Sequence, residues 1–214
     1  MTTASGIIDT DFDDRADTPP GKDLDSHSPT LRRHYQLVWS KPLPDGTPFA
    51  LPTSTKGRYL HHASARGEFT LTSDSVVHSY RTWARMAHVT SAVSAAELDE
   101  FQRLGYTIGG MMIFPGVRRP GVRTINGDRG LNRAIADRMD LTLECIRLHS
   151  AGGTSPMRRT LAACAGVTFF VPFTGFDLSP LPESVDAYRA YRDASLTWVR
   201  ARNARIDTWV ESGL

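Results

Sequence analysis

From Ser184 to about Glu211 the chain reads as one long amphipathic helix, and such a helix must bury one face against whatever the rest of the chain builds. Val185, Tyr188, Val199, Ile206 and Val210 fall broadly on its apolar side. Arg189, Arg192, Arg200, Arg202 and Arg205 are expected mostly in solvent. Pro180-Leu181-Pro182 sets the helix off from what precedes it.

Upstream, helical and extended patterns do not alternate regularly, which favours α+β over a doubly wound sheet. Residues 1–27 form a polar arm, irregular around Pro19-Pro20-Gly21, and residues 28–214 form a single α+β domain. The expected architecture is a mixed or antiparallel sheet, an ordered N-terminal arm and the long C-terminal helix. Ser28-Pro29 is an N-cap with proline at the first helical position, opening a helix to about Val38 with Leu31, Tyr35 and Val38 on one face. Tyr59 to His62 and Glu68 to Thr72 read as two short strands. Ser73 or Asp74 is expected to cap a helix carrying Val76, Val77, Tyr80, Trp83 and Met86. Ser94 to Glu97 fits a capping box.

Tyr106 to Phe114 reads as a central strand in which Gly109-Gly110 marks a bulge or a close backbone approach, with Val122 to Ile125 as hairpin partner. Asp137 to His149 reads as a buried helix, Ser155-Pro156 opens a short one, and Val167 to Phe173 is an apolar strand.

Composition narrows the function classes. At 40% hydrophobic and 22% charged the chain is an ordinary folded protein, and its 214 residues can bury a core without staples. The two cysteines, Cys145 and Cys164, make no disulfide framework and no zinc spacing. The acidic N-terminus lacks the basic and apolar regions of a signal peptide, and no stretch reaches the roughly 18 apolar residues of a membrane span. A cytoplasmic protein without membrane contact is expected. A net charge of +2 does not argue for nucleic acid by itself. Its distribution is more telling: seven Asp lie in residues 1–31, and nine Arg against four acids lie in residues 115–160. Arginine suits bidentate contacts to phosphate or carboxylate.

The chain resembles a bacterial family of uncharacterised proteins known as a domain of unknown function. The resemblance rests on Asp17-Thr18-Pro19-Pro20-Gly21-Lys22-Asp23, Ser28-Pro29-Thr30-Leu31-Arg32, Trp39-Ser40-Lys41-Pro42-Leu43-Pro44, Gly105 to Pro115 and Asp140-Leu141-Thr142-Leu143-Glu144-Cys145-Ile146-Arg147. It implies no activity, cofactor or catalytic residue. Against that family's pattern the segment before Val167 is shortened, which leaves an altered or inactive copy, or a lost surface hairpin, as alternatives.

Two constellations can carry chemistry. His61, His62, Glu68 and Asp74 offer imidazole beside carboxylate, a ready acid–base set near neutral pH. Strand alternation lets only one of the two histidines face a given pocket, which also argues against a shared metal; no metal site is assigned. The second set is Asn126, Arg129 and Arg138, with Asp128 and Arg133 nearby and Lys22 from the arm, an anion site at a turn before a helical segment. A turn with internal ion pairs and a surface histidine are the structural alternatives. Asp17, Lys22, Asp23, Asp25 and Ser28 make the arm a lid, a strap or a disordered segment, and the family resemblance implies an ordered one.

The functional expectation is an enzyme acting on a small phosphorylated ligand, nucleotide or nucleic acid, with a His/Glu pair moving the proton and arginines holding the anion. The alternative is a non-catalytic protein- or nucleic-acid-binding module, or a degenerate paralogue. No cofactor is indicated, and the two long apolar helix faces are compatible with a homodimer.

Overall fold

A computed structural model describes residues 8–38, 51–52, 59–64, 67–75, 77–116 and 181–211. The fold is α+β. In chain order the described elements are α1 (Leu24–His27), α2 (Pro29–Val38), β1 (His61–Ser64), β2 (Gly67–Ser75), a 3-10 turn (Ala84–Met86), α3 (Ala87–Thr90), α4 (Ala95–Gly105), β3 (Met111–Gly116) and α5 (Val185–Glu211). The strands form an antiparallel sheet in the order β1-β2-β3.

Helix α2 begins where its caps dictate. The Leu31 N–H donates to Ser28 Oγ at 3.0 Å, and the Thr30 N–H donates to Asp17 Oδ2 at 2.9 Å. Ser28 Oγ in turn donates to Asp17 Oδ1 at 2.6 Å. Asp17 thus satisfies one orphan helix donor, the Thr30 N–H, and ties the arm to α2, with a carboxylate placed at the positive end of the helix dipole. The capping box at α4 is formed as its sequence requires, with Ser94 and Glu97 exchanging side-chain and backbone hydrogen bonds.

Helix α5 is the spine. Its first half packs Tyr188, Tyr191 and Val199 into a cluster with Tyr80, Phe101 and Leu104. Phe101 meets Tyr188 and Tyr191 edge-on at 6.3 and 5.8 Å between centroids. Further along, Ile206 enters a second cluster with Ile8, Leu31, Tyr35, Val38 and Met111. Ile8 is only 4% exposed, so the arm contributes to the core as well as crossing it.

Three expectations are corrected. Ser73 and Asp74 do not cap a helix; they are the seventh and eighth residues of β2, opposite Ile113 and Met112. The apolar positions after them have helical spacing, but Tyr80 sits at φ 55°, a left-handed conformation that no helix interior accepts. Its N–H is taken by His78 Nδ1 at 2.7 Å instead. The strand expected over Tyr106 to Phe114 begins only at Met111, and among the described residues β2, not β3, is the middle strand. Gly109 and Gly110 do mark a close approach: a Cβ on Gly109 would lie 2.1 Å from Asn203 Oδ1, and one on Gly110 2.4 Å from the Gly105 carbonyl oxygen. Arg202, expected in solvent, is 9% exposed. The patterns at residues 122–125, 137–149, 155–166 and 167–173, both cysteines and the shortened segment lie outside the described residues.

Candidate functional site

The hairpin places the first constellation only in part. His61 pairs with Thr70, His62 with Phe69 and Ala63 with Glu68. Position 68 is therefore a diagonal neighbour of position 61 on one face of the sheet, and position 62 is on the other face. Asp74 shares the face of His61 but sits four residues beyond Thr70, roughly 13 Å along the strand. His61 and Asp74 are half-buried, and Lys22 is exposed. Asn126, Arg129 and Arg138 lie outside the described residues.

A different set of ionisable groups comes together beneath the arm. Asp14 has no exposed surface, and His34 is 3% exposed. Asp14 is held by its backbone: its N–H donates to the Tyr106 carbonyl at 2.9 Å, and its own carbonyl accepts from Thr18 Oγ1 at 2.9 Å. Its carboxyl oxygens have no hydrogen-bond partner among the described residues, and neither has His34 Nδ1. The Oδ1 to Nδ1 separation is 3.9 Å, too long for a hydrogen bond. The Asp14 carboxyl and His34 Nδ1 face each other, and neither has a hydrogen-bond partner among the described residues.

Electrostatics sets their protonation. Burial, with the nearby charges of Asp17 and Asp13 adding to it, pushes the Asp14 carboxyl up to about 8. Burial pushes the His34 imidazole below its ordinary value, opposed in part by Asp9 and Asp17. Both shifts favour the uncharged forms. Near pH 7 the pair is therefore a carboxylic acid beside a neutral imidazole: the usual order of the two groups is reversed.

Tyr35 extends the cluster. Its hydroxyl is buried and lies close to Ser73 and within the field of Asp25, Asp14 and Arg202. Asp25, also from the arm and 8% exposed, accepts from the Ser73 N–H at 2.6 Å and from the Ser73 hydroxyl. Burial raises its carboxyl to about 7 despite those two bonds. Arg202 enters from α5, where its Nη1 donates to the carbonyls of Ile108, Gly109 and Met111 at 3.2, 2.8 and 2.5 Å. Burial lowers it only to about 10, so it stays charged at neutral pH. The Gly109 turn is thus a carbonyl cup for a guanidinium, and Asn203 and the Val199 carbonyl of α5 leave no room for a side chain at Gly109.

Arm and α5 are stitched together beside this cup. Thr10 Oγ1 donates to Asp207 Oδ2 at 2.9 Å, and Asn203 Nδ2 donates to the Thr10 carbonyl at 2.9 Å. No group of three or more His, Cys, Asp or Glu among the described residues could hold a metal ion. No described helix is long and apolar enough to cross a membrane.

Sequence reasoning missed the Asp14–His34 pair because its members are 20 residues apart and Asp14 is not among the arm residues singled out as a lid or strap. One signal was present. Leu31, His34, Tyr35 and Val38 have the i, i+3, i+4, i+7 spacing of a single helix face, which puts His34 on the buried stripe of α2.

Neither a curated protein nor a solved structure matches this chain. A family model does match, over residues 8–166, a span that takes in Asp14, Asp25, His34, Tyr35 and Ser73. The chain belongs to the family of unknown function DUF6994.

Proposed function

We propose that the protein is a cytoplasmic acid–base enzyme whose proton-handling pair is Asp14 and His34. The observation that carries this reading is the pair itself: two buried, adjacent titratable groups whose facing atoms, the Asp14 carboxyl oxygens and His34 Nδ1, have no hydrogen-bond partner among the described residues, and whose protonation preferences are reversed. A carboxyl that keeps its proton at pH 7 can donate it, and a neutral imidazole can accept one. A purely structural buried carboxyl would be expected to have its oxygens satisfied. The ligand in this reading is a small phosphorylated molecule, nucleotide or nucleic acid. The support for that class is the arginine concentration in residues 115–160, with Asn126, Arg129 and Arg138 as the anion-binding residues and Lys22 as an exposed cation on the arm. His61 with Glu68 is the competing proton pair, kept in reach by the strand register.

The test is thermal unfolding against nucleotides, phosphosugars and short RNA, followed by turnover assays on whatever stabilises. A ligand binding only the native state at a hundred times its dissociation constant stabilises by about 2.7 kcal/mol. Arg129→Ala should remove that shift. Asp14→Asn and His34→Gln should keep the shift and lose turnover by about a hundredfold or more. Loss in His61→Ala with full activity in His34→Gln would transfer the role to the hairpin. No shift with any member of the panel would count against a phosphorylated ligand and favour a protein-binding module.

A further inference from the structure

Asp14 and Asp25 are both carried by the N-terminal arm, and both are inserted into the folded body through their carboxyl groups. We propose that residues 8–27 form a proton-gated strap, fastened over His34 while Asp14 keeps its proton and released from it when that proton is lost. The proposal rests on the reading of Asp14 and His34 as the working pair, because it names what controls access to them.

The geometry supplies both halves of the device. Among the described residues the fastening includes Asp14 N–H to the Tyr106 carbonyl, Asp17 to Ser28 and Thr30, Asp25 to Ser73, Thr10 to Asp207 and Asn203, Arg103 to the Asp11 carbonyl, Arg15 over the Tyr106 ring, and Ile8 in the core. The gate is a carboxyl with no exposed surface and no hydrogen-bond donor to either oxygen among the described residues. Ionised in that place it would be a buried charge without compensation, and the escape open to it is to carry the arm into water. The charged and titratable groups facing it do not relieve this. From the arm come Asp13 and Asp17, which repel it. From α2 come His34, which burial keeps neutral, and Tyr35. Arg202 from α5 is engaged with three backbone carbonyls. Asp25 faces Ser73, Tyr35, Asp23 and Asp74, and its own preference for the proton acts in the same direction.

The pH window follows from the signs. A carboxyl that holds its proton to about 8 in the strapped state, against an ordinary 3.8 when released, makes strapping weaker as pH rises between those values. His34, lowered in the strapped state, weakens strapping as pH falls below its ordinary 6.5. The two slopes oppose each other on the acid side, so the net release is read between about pH 6.5 and 8.

Amide hydrogen exchange on the full chain tests this without any ligand. Protection of the amides of Asp14, Ala16 and Thr18, corrected for intrinsic rate, should fall about tenfold or more from pH 6.5 to 8. Amides in the interior of α4 should not change. In Asp14→Asn the strap amides should stay protected across the range. A pH-independent protection in the wild type would overturn the strap, and that measurement needs no variant. An equal loss in Asp14→Asn would overturn it as well. The outcome is separable from catalysis: a strap that releases as stated in a protein whose Asp14→Asn form turns over normally would keep the gate and discard the catalytic pair.

Discussion

Asp14→Asn is expected to make the protein more stable at pH 8, by about 2 kcal/mol or more, and to leave it nearly unchanged at pH 4. The folded carboxyl keeps its proton to about 8, while the unfolded chain gives it up near 3.8. Unfolding in between releases a proton, so wild-type stability falls as pH rises through that interval. Asparagine fills the same space with no proton to lose, and the difference between the two proteins should widen by up to about 1.4 kcal/mol per pH unit. Asp25, raised to about 7, contributes a slope of the same sign below neutrality. Urea unfolding at pH 4, 6 and 8 reads the effect. Uniform destabilisation of Asp14→Asn at all three values would mean that Asp14 is a satisfied structural residue. Gain of stability with loss of turnover is the pattern expected of a site kept for function at the expense of stability.

Arg202→Met should act in the opposite direction, costing about 1–3 kcal/mol at every pH. The methionine fills much of the volume but leaves the carbonyls of Ile108, Gly109 and Met111 without the donor that converges on them. Gly109→Ala approaches the same junction from the other side. Its Cβ would meet Asn203 Oδ1 at 2.1 Å and the Val199 carbonyl oxygen at 2.7 Å, so α5 itself must shift. A loss of about 1–3 kcal/mol is expected, larger if Asn203 cannot rotate. Denaturant midpoints of the two variants check this. A near-neutral Arg202→Met would show that the three carbonyls find water or other donors.

How much of this was legible in the sequence varies with the range of the interaction. The α2 cap at Ser28-Pro29, the capping box at Ser94–Glu97 and the length of α5 are local signals, and each formed where the residues placed it. The hairpin was legible from the β-branched and aromatic alternation around Phe69. The helix expected after Asp74 was not there, because helical spacing of Val77 and Tyr80 also arises in an irregular segment that dips into the core twice. What prevents a helix is the left-handed Tyr80 and its hydrogen bond to His78, which no periodicity encodes.

Arg202 was misplaced for a related reason. It was grouped with four neighbouring arginines, although Tyr188, Tyr191, Ser195, Trp198, Arg202 and Ile206 trace one buried stripe along α5. A cation on such a stripe needs acceptors, and those come from a glycine turn more than 90 residues earlier. The Asp14–His34 pair is similarly non-local. Polar residues in a proline-rich arm read as a lid or strap, and periodicity does not reveal that Ile8 enters the core and Asp14 lies beneath the surface.

The most direct test of the central claim is the titration of the Asp14 carboxyl itself, followed through its isotope-labelled side-chain carbon by NMR in the intact protein and assigned with Asp14→Asn. A midpoint near 8, accompanied by a His34 imidazole that titrates below its ordinary range, is the predicted result. A midpoint below 5 would mean a carboxylate that is solvated or paired, and would contradict both the acid–base pair and the strap built on it.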